Sequence, residues 1–165
     1  MASRLSSLLV RDGWVGARRL EKAFQRQVVY GGSLDTILLE MNAVPEPRLV
    51  QYLALATGIP PATSDDLARL SLDSAQRLDR DTAYRLRVVP VGEIDGVVQV
   101  LVADPVEMPR LEDLADILDM PIQPLIVPEF RWHLAFANLY GTEPQPRYLQ
   151  LAQALSPEAA VAPAS

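Results

Sequence analysis

The chain has 165 residues, enough for one good core or two small packed subdomains. Hydrophobic residues make up 49% and charged residues 22%, a globular balance, and the absence of cysteine excludes disulfides and thiolate metal sites. A net charge of −6 argues against a sequence-independent nucleic-acid binder, despite clusters such as Arg18-Arg19, and no stretch approaches the roughly 20 apolar residues of a membrane span.

The first apolar run is short and broken by Arg11 and Asp12. That does not suit a signal peptide, so a cytoplasmic protein is expected. Residues 1–60 then read as four short helices arranged as two similar hairpins. Val15, Leu20, Ala23, Phe24 and Gln27 keep helical spacing, as do Leu49, Tyr52, Leu53 and Ala56. Gly13 and Gly58 stand where helices should stop, and Pro45 and Pro47 suit the first turn of a new one. The polar run of residues 61–72, led by paired prolines, predicts a linker.

Beyond it, Asp73–Leu86 is expected as one helix, capped by Asp73 or Ser74. Val88–Glu93 and Val97–Ala103 read as strands joined by a tight turn at Asp95-Gly96. A helix over Pro109–Leu118, a third strand over Ile122–Val127 and a closing helix over Pro128–Tyr140 complete an α+β subdomain spanning 73–141. Residues 142–165 are rich in Pro and Ala; Arg147–Leu155 predicts a short helix and the last ten residues a disordered tail. The fold class expected is α+β: a four-helix unit of two tandem hairpins packed on a small three-stranded α+β subdomain.

The two hairpins are copies of one pattern. RLSSLLVRDGWV begins at Arg4 and SLDTILLEMNAV begins at Ser33, an offset of 29 residues. At that offset Leu5 meets Leu34, Leu9 meets Leu38, Val15 meets Val44, Leu20 meets Leu49 and Phe24 meets Leu53. Gly13 meets Asn42, the two residue types that best accept positive φ. Two such amphipathic units can stack and bury a shared apolar face, which explains the leucines by folding alone.

The first copy, RLSSLLVRDGWVGARRLEKAFQRQ (Arg4–Gln27), resembles the tandem motif of the MshEN domain, found at the N-terminus of type II secretion and type IV pilus assembly ATPases. The five-residue spacer VVYGG, the segment LRVVPVGEIDGVVQVLVADP and the ending FANLYG extend the resemblance over residues 4–141. In binding members of that family each motif holds one half of cyclic di-GMP. The resemblance therefore implies a candidate ligand site. Its first half is Arg4, Leu5, Ser6, Leu20, Phe24 and Gln27, with Ser6 standing where the family has glycine. Arginine would pair with phosphate or stack on a base, and the leucines would give an apolar floor.

The second half is poorer. Leu34, Leu49 and Leu53 keep the skeleton, but Ser33 replaces the arginine, Asp35 the first glycine, Asn42 the loop glycine and Ala56 the glutamine. Losing a charged hydrogen bond forfeits about 1.5–3 kcal/mol, and each 1.4 kcal/mol is roughly tenfold in affinity. Asp35 would in addition set a carboxylate near a dianion. Asp104, in VLVADP, is read as a turn residue before Pro105, and the resemblance gives it a place facing the groove between the two halves.

The resemblance thus implies a non-enzymatic regulatory or interaction module that docks a protein partner of a secretion, pilus or motility system. The alternative is a cyclic di-GMP receptor with an adapted second half-site. No cofactor is required in the first reading, and cyclic di-GMP is the candidate ligand in the second. No Gly-x-x-x-x-Gly-Lys-Ser/Thr loop occurs, so the chain is expected to be either a free-standing regulatory domain or part of something longer. Its ending, AAVAPAS, leans toward a natural terminus and would also suit a linker.

Other features read as structural. His133 is the sole histidine, which leaves a triad or two-histidine metal site unsupported. Asp65-Asp66 suits a helix start and Glu112-Asp113 a solvated helix face. Trp132 reads as packing, as does Trp14 unless it is exposed at a loop tip, where it would mark a contact surface. Short helical hairpins can mimic a DNA-binding helix-turn-helix, a third reading that the acidic charge disfavours.

Overall fold

A computed structural model describes residues 3–155; the tail expected over 156–165 lies outside the described residues. The first helix, α1 (Arg4–Arg11), opens with a capping box. The Ser3 hydroxyl accepts from the Ser6 amide at 3.1 Å, and the Ser3 amide donates to Ser6 Oγ at 2.8 Å. It closes with Gly13 at φ +79°, the Gly13 amide donating to Val10 O and the Trp14 amide to Leu9 O. The second copy repeats this closure. Asn42, at φ +54°, donates to Leu39 O and Ala43 donates to Leu38 O. The 29-residue repeat is thus a repeat of one paired helix-ending hydrogen-bond pattern as well as of leucines.

The four helices α1, α2 (Ala17–Tyr30), α3 (Leu34–Glu40) and α4 (Glu46–Thr57) match the expected pair of helical hairpins. Their closest packing crosses between copies, however: α1 lies on α4, and α2 on α3. Leu5, Leu9, Leu49 and Leu53 all belong to the one buried core, and the Tyr52 hydroxyl donates to Asp12 Oδ2 at 2.5 Å. The copies therefore bury each other's apolar faces.

The stretch read as a linker carries structure of its own. The Pro60 carbonyl accepts from the Ile126 amide and the Ala62 amide donates to the Ile126 carbonyl, adding a bridge at the sheet edge. A short helix, α5 (Ser64–Ala68), follows under a Thr63–Asp66 capping box. The single helix expected over Asp73–Leu86 is two, α6 (Leu72–Gln76) and α7 (Arg80–Leu86). Leu78 is buried at the break, and the Asp79 carboxylate accepts from the Thr82 amide at 3.0 Å, starting the second helix.

The sheet runs β1 (Val89–Ile94), β2 (Val97–Val102), β3 (Ile122–Ile126) in that spatial order. β1 and β2 are antiparallel, turned by Asp95 and Gly96, both at positive φ. β2 and β3 are parallel and connected through α8 (Met108–Leu118). α9 (Glu129–Tyr140) and α10 (Pro146–Leu155) pack against one another. Trp132 of α9 is fully buried and donates its indole N–H to Leu101 O at 3.2 Å. One continuous core runs from Leu5 through the sheet to Leu151.

Candidate ligand site and docking surface

The residues singled out from the sequence fall into three environments. Leu5, Leu34, Leu49 and Leu53 are core, while Leu20 and Phe24 are half-buried on α2. Ser6 is completely buried and committed to the α1 cap. Arg4 is exposed and makes no ion pair among the described residues, and Gln27 donates to the Gly32 carbonyl at 3.1 Å. Asp104 stands apart, in a 240 Å³ cavity with Arg87, Arg110, Glu129 and His133. None of the other expected residues lines that cavity.

The second copy's departures have a use within the fold. Ser33 and Asp35 are buried where α3 meets α9. The Glu129 amide, in the first turn of α9, donates to Asp35 Oδ2 at 2.8 Å. In return the Glu129 carboxylate accepts from the Ser33 amide and the Thr36 hydroxyl, each at 2.9 Å. The Ser33 hydroxyl completes the set by donating to Asp35 Oδ1. Each helix N-terminus thus receives a carboxylate from the other, which suits both dipoles. Burial pushes the Asp35 carboxyl up from near 3.8 to about 7. The Ser33 hydroxyl and Glu129 amide oppose that rise, and the Glu129 and Asp104 charges reinforce it.

A second set of contacts closes over the spacer. Arg147 of α10 grips Glu40 with two bonds, from Nε at 2.7 Å and Nη2 at 2.8 Å. Its Nη1 donates to the carbonyls of Tyr30 and Gly31 at the end of α2. Gly32, at φ +87°, allows this approach; a Cβ there would lie 3.0 Å from Nη1.

The outward face of α2 is the opposite case. Ala23 alone is fully buried on that helix. Arg18, Arg19, Lys22 and Arg26 are exposed, lining a 570 Å³ cavity with Glu40 and Met41. Val28, Val29 and Tyr30 follow at 87%, 72% and 63% exposure.

His133 stacks on Tyr148 with ring centres 4.5 Å apart, and burial holds its imidazole below the usual range. Asp66 is a cap, Glu112 and Asp113 are exposed, and no metal-holding group of acidic or histidine side chains occurs among the described residues. Trp14 is exposed, with the Arg48 guanidinium 5.7 Å from its ring centre. The sequence reading missed Thr36, Glu129 and Arg147, whose partners lie about a hundred residues away. It also passed over the Arg18, Lys22, Arg26 stripe, although its i, i+4 spacing was visible.

The MshEN domain matches residues 57–146, so the match falls mainly on the α+β half, and most of the tandem hairpins precede it. Type IV pilus assembly ATPase PilB of Myxococcus xanthus is 26% identical over 141 residues, covering 86% of this chain and 25% of that protein. PilB of Thermus thermophilus is 29% identical over 137 residues, covering 83% and 15%. The chain therefore spans a quarter or less of the curated relatives it matches. The solved structure of MshE with cdg, cyclic di-GMP, superposes with a TM-score of 0.62 at 27% identity, over 84% of this chain and 100% of that one. The N-terminal domain of XpsE superposes at 0.54 with 19% identity, over 86% and 96%, and shares the fold.

Proposed function

Since this chain belongs to the MshEN domain family, we propose that it is a non-enzymatic regulatory module that docks a protein partner of a secretion, pilus or motility system in the cytoplasm. One observation carries the reading. The two polar positions where the second motif departs first from its pattern, Ser33 and Asp35, are buried and bonded to each other and to Glu129. Freeing them for a nucleotide would strand the Ser33 and Glu129 amides, at about 1–3 kcal/mol for each buried unpaired group. The sequence also carries no phosphate-binding loop that would make it a motor by itself.

A specific observation favours the second reading as well. Arg4 is exposed and unpaired among the described residues, on the copy that keeps most of the motif, and the MshE structure is one with cyclic di-GMP. A receptor with one largely retained half-site and an adapted second half would look like this.

Isothermal titration separates the two. The docking reading expects no heat with cyclic di-GMP into the high micromolar range, and capture of a secretion, pilus or motility component from lysate. Micromolar binding that disappears in Arg4→Ala would establish the receptor instead.

A further inference from the structure

We infer that the outward face of α2 is the docking surface and that its occupant is an acidic helical segment of a protein partner. This deepens the docking reading above and rests on it. By the 3.6-residue period Arg18, Lys22, Arg26 and Val29 form one line, flanked by Arg19 and Tyr30. The first-motif positions Leu20, Phe24 and Gln27 fall on the other side of α2, toward the body. The face is therefore distinct from the candidate nucleotide site.

The charges on this face work against the helix that carries them. Arg18 and Arg19 stand in the first turn, at the positive end of the helix dipole, and α2 begins at Gly16 with no side-chain cap. Arg18, Lys22 and Arg26 repeat at i, i+4, where like charges repel. None of the four cations pairs with a carboxylate among the described residues; Arg19 reaches only the Met41 carbonyl, at 2.7 Å. Glu40, the one carboxylate lining the cavity, is held by Arg147. A local arrangement that disfavours its own helix is what a binding site requires and what folding does not.

Complementarity identifies the occupant. On a chain of net charge −6, four cations within nine residues form a positive stripe about 12 Å long. Carboxylates at one-turn spacing on a partner helix match that stripe. An apolar side chain one turn further on would cover Val29 and Tyr30, whose ring lies under Arg26 at 5.3 Å. The chain's net charge of −6 works against an anionic bilayer or a duplex, which would face much of the molecule, whereas a single acidic helix meets only the stripe.

The test uses the full chain and a labelled helical peptide with glutamates at one-turn spacing followed by leucine, read by fluorescence anisotropy. A peptide of identical composition in scrambled order is the control. The expected result is binding at least roughly tenfold tighter than the scrambled peptide, falling as salt rises. It is lost in the triple variant Arg18→Glu, Lys22→Glu, Arg26→Glu. Because all three side chains are exposed, that variant should keep the helical circular dichroism and cooperative melting of the wild type, and with both retained lost binding is not misfolding. Equal binding of the two peptides, no binding, or binding indifferent to the triple variant overturns the inference. So does a preference for phosphatidylglycerol vesicles or duplex DNA over the peptide. If a captured partner binds the triple variant undiminished, docking stands and this face is wrong; if the wild type captures no partner, the docking reading itself has failed.

Discussion

Asp35 is where the residue scale is most informative. It replaces a motif glycine, yet it is buried and accepts the first amide of α9. Its carboxyl is raised to about 7 from near 3.8, chiefly by burial. Between those values the folded chain holds a proton that the unfolded chain releases, so Asp35 makes stability decline as pH rises from about 4 to 7 and level off above. An asparagine at this position would keep an acceptor for the Glu129 amide without a charge to bury. In urea unfolding at pH 4 and pH 8, Asp35→Asn should be near neutral at the lower pH and more stable than wild type at the higher. An unchanged difference between the two pH values would show that Asp35 is not buried as a titrating group. The leucines of both motifs were legible in the sequence because helical period marks a buried face directly. The role of Asp35 was not, because its partner Glu129 is 94 residues away and no local pattern encodes the pairing.

At the scale of elements, helix ends were readable and helix partners were not. Gly13 and Asn42 announced the left-handed closures found at both positions, since few residues accept that conformation. The exchange of partners, α1 with α4 and α2 with α3, leaves no such mark, because an apolar stripe says that a face is buried and not by what. The helix broken at Leu78 shows the same limit: periodicity continued through the break, and the Asp79 cap decided it. The hold of α10 on the α2–α3 spacer depends on Arg147 reaching Glu40 and two carbonyls while Gly32 stays out of its way. Arg147→Ala should cost about 1.5–3 kcal/mol, and Arg147→Lys should recover little, because a point charge cannot span the two-bonded geometry. Gly32→Ala adds backbone strain at φ +87° and crowds the guanidinium. In the double variant the crowding disappears, so the two costs should sum to more than the measured loss in guanidinium-chloride unfolding. Simple additivity would mean that Arg147 and Gly32 do not share one contact.

For the whole molecule, the question is whether a repeat of two hairpins and a small sheet fold as one body. Several ties cross between them. Pro60 to Ala62 bridges Ile126, α4 packs against β3, the carboxylates of Asp35 and Glu129 are exchanged between α3 and α9, and Arg131 of α9 holds Glu46 of α4 with two bonds. The hydrophobic core is continuous across them. An unfolded helical half would expose Leu49 and Leu53 and strip the half-buried Glu129 of its partners Ser33 and Thr36, so its independent loss is disfavoured on apolar and polar grounds together. The chain should therefore unfold in a single transition, followed by Trp132 fluorescence in a Trp14→Phe background, which reports the α+β half, and by helical circular dichroism, to which both halves contribute. Glu129→Ala is the sharpest probe of the coupling. It removes the acceptor of the Ser33 amide and the Thr36 hydroxyl while leaving the Trp132 packing intact. We expect it to lower stability by about 1–3 kcal/mol and to separate the two unfolding curves, with the part of the helical signal that belongs to α1–α4 lost first. Glu129→Gln, which keeps one carbonyl acceptor, should restore coincidence. Coincident curves in Glu129→Ala with the full stability loss would mean that the core alone couples the halves; coincidence without loss would mean that the exchanged carboxylates contribute nothing to joining them.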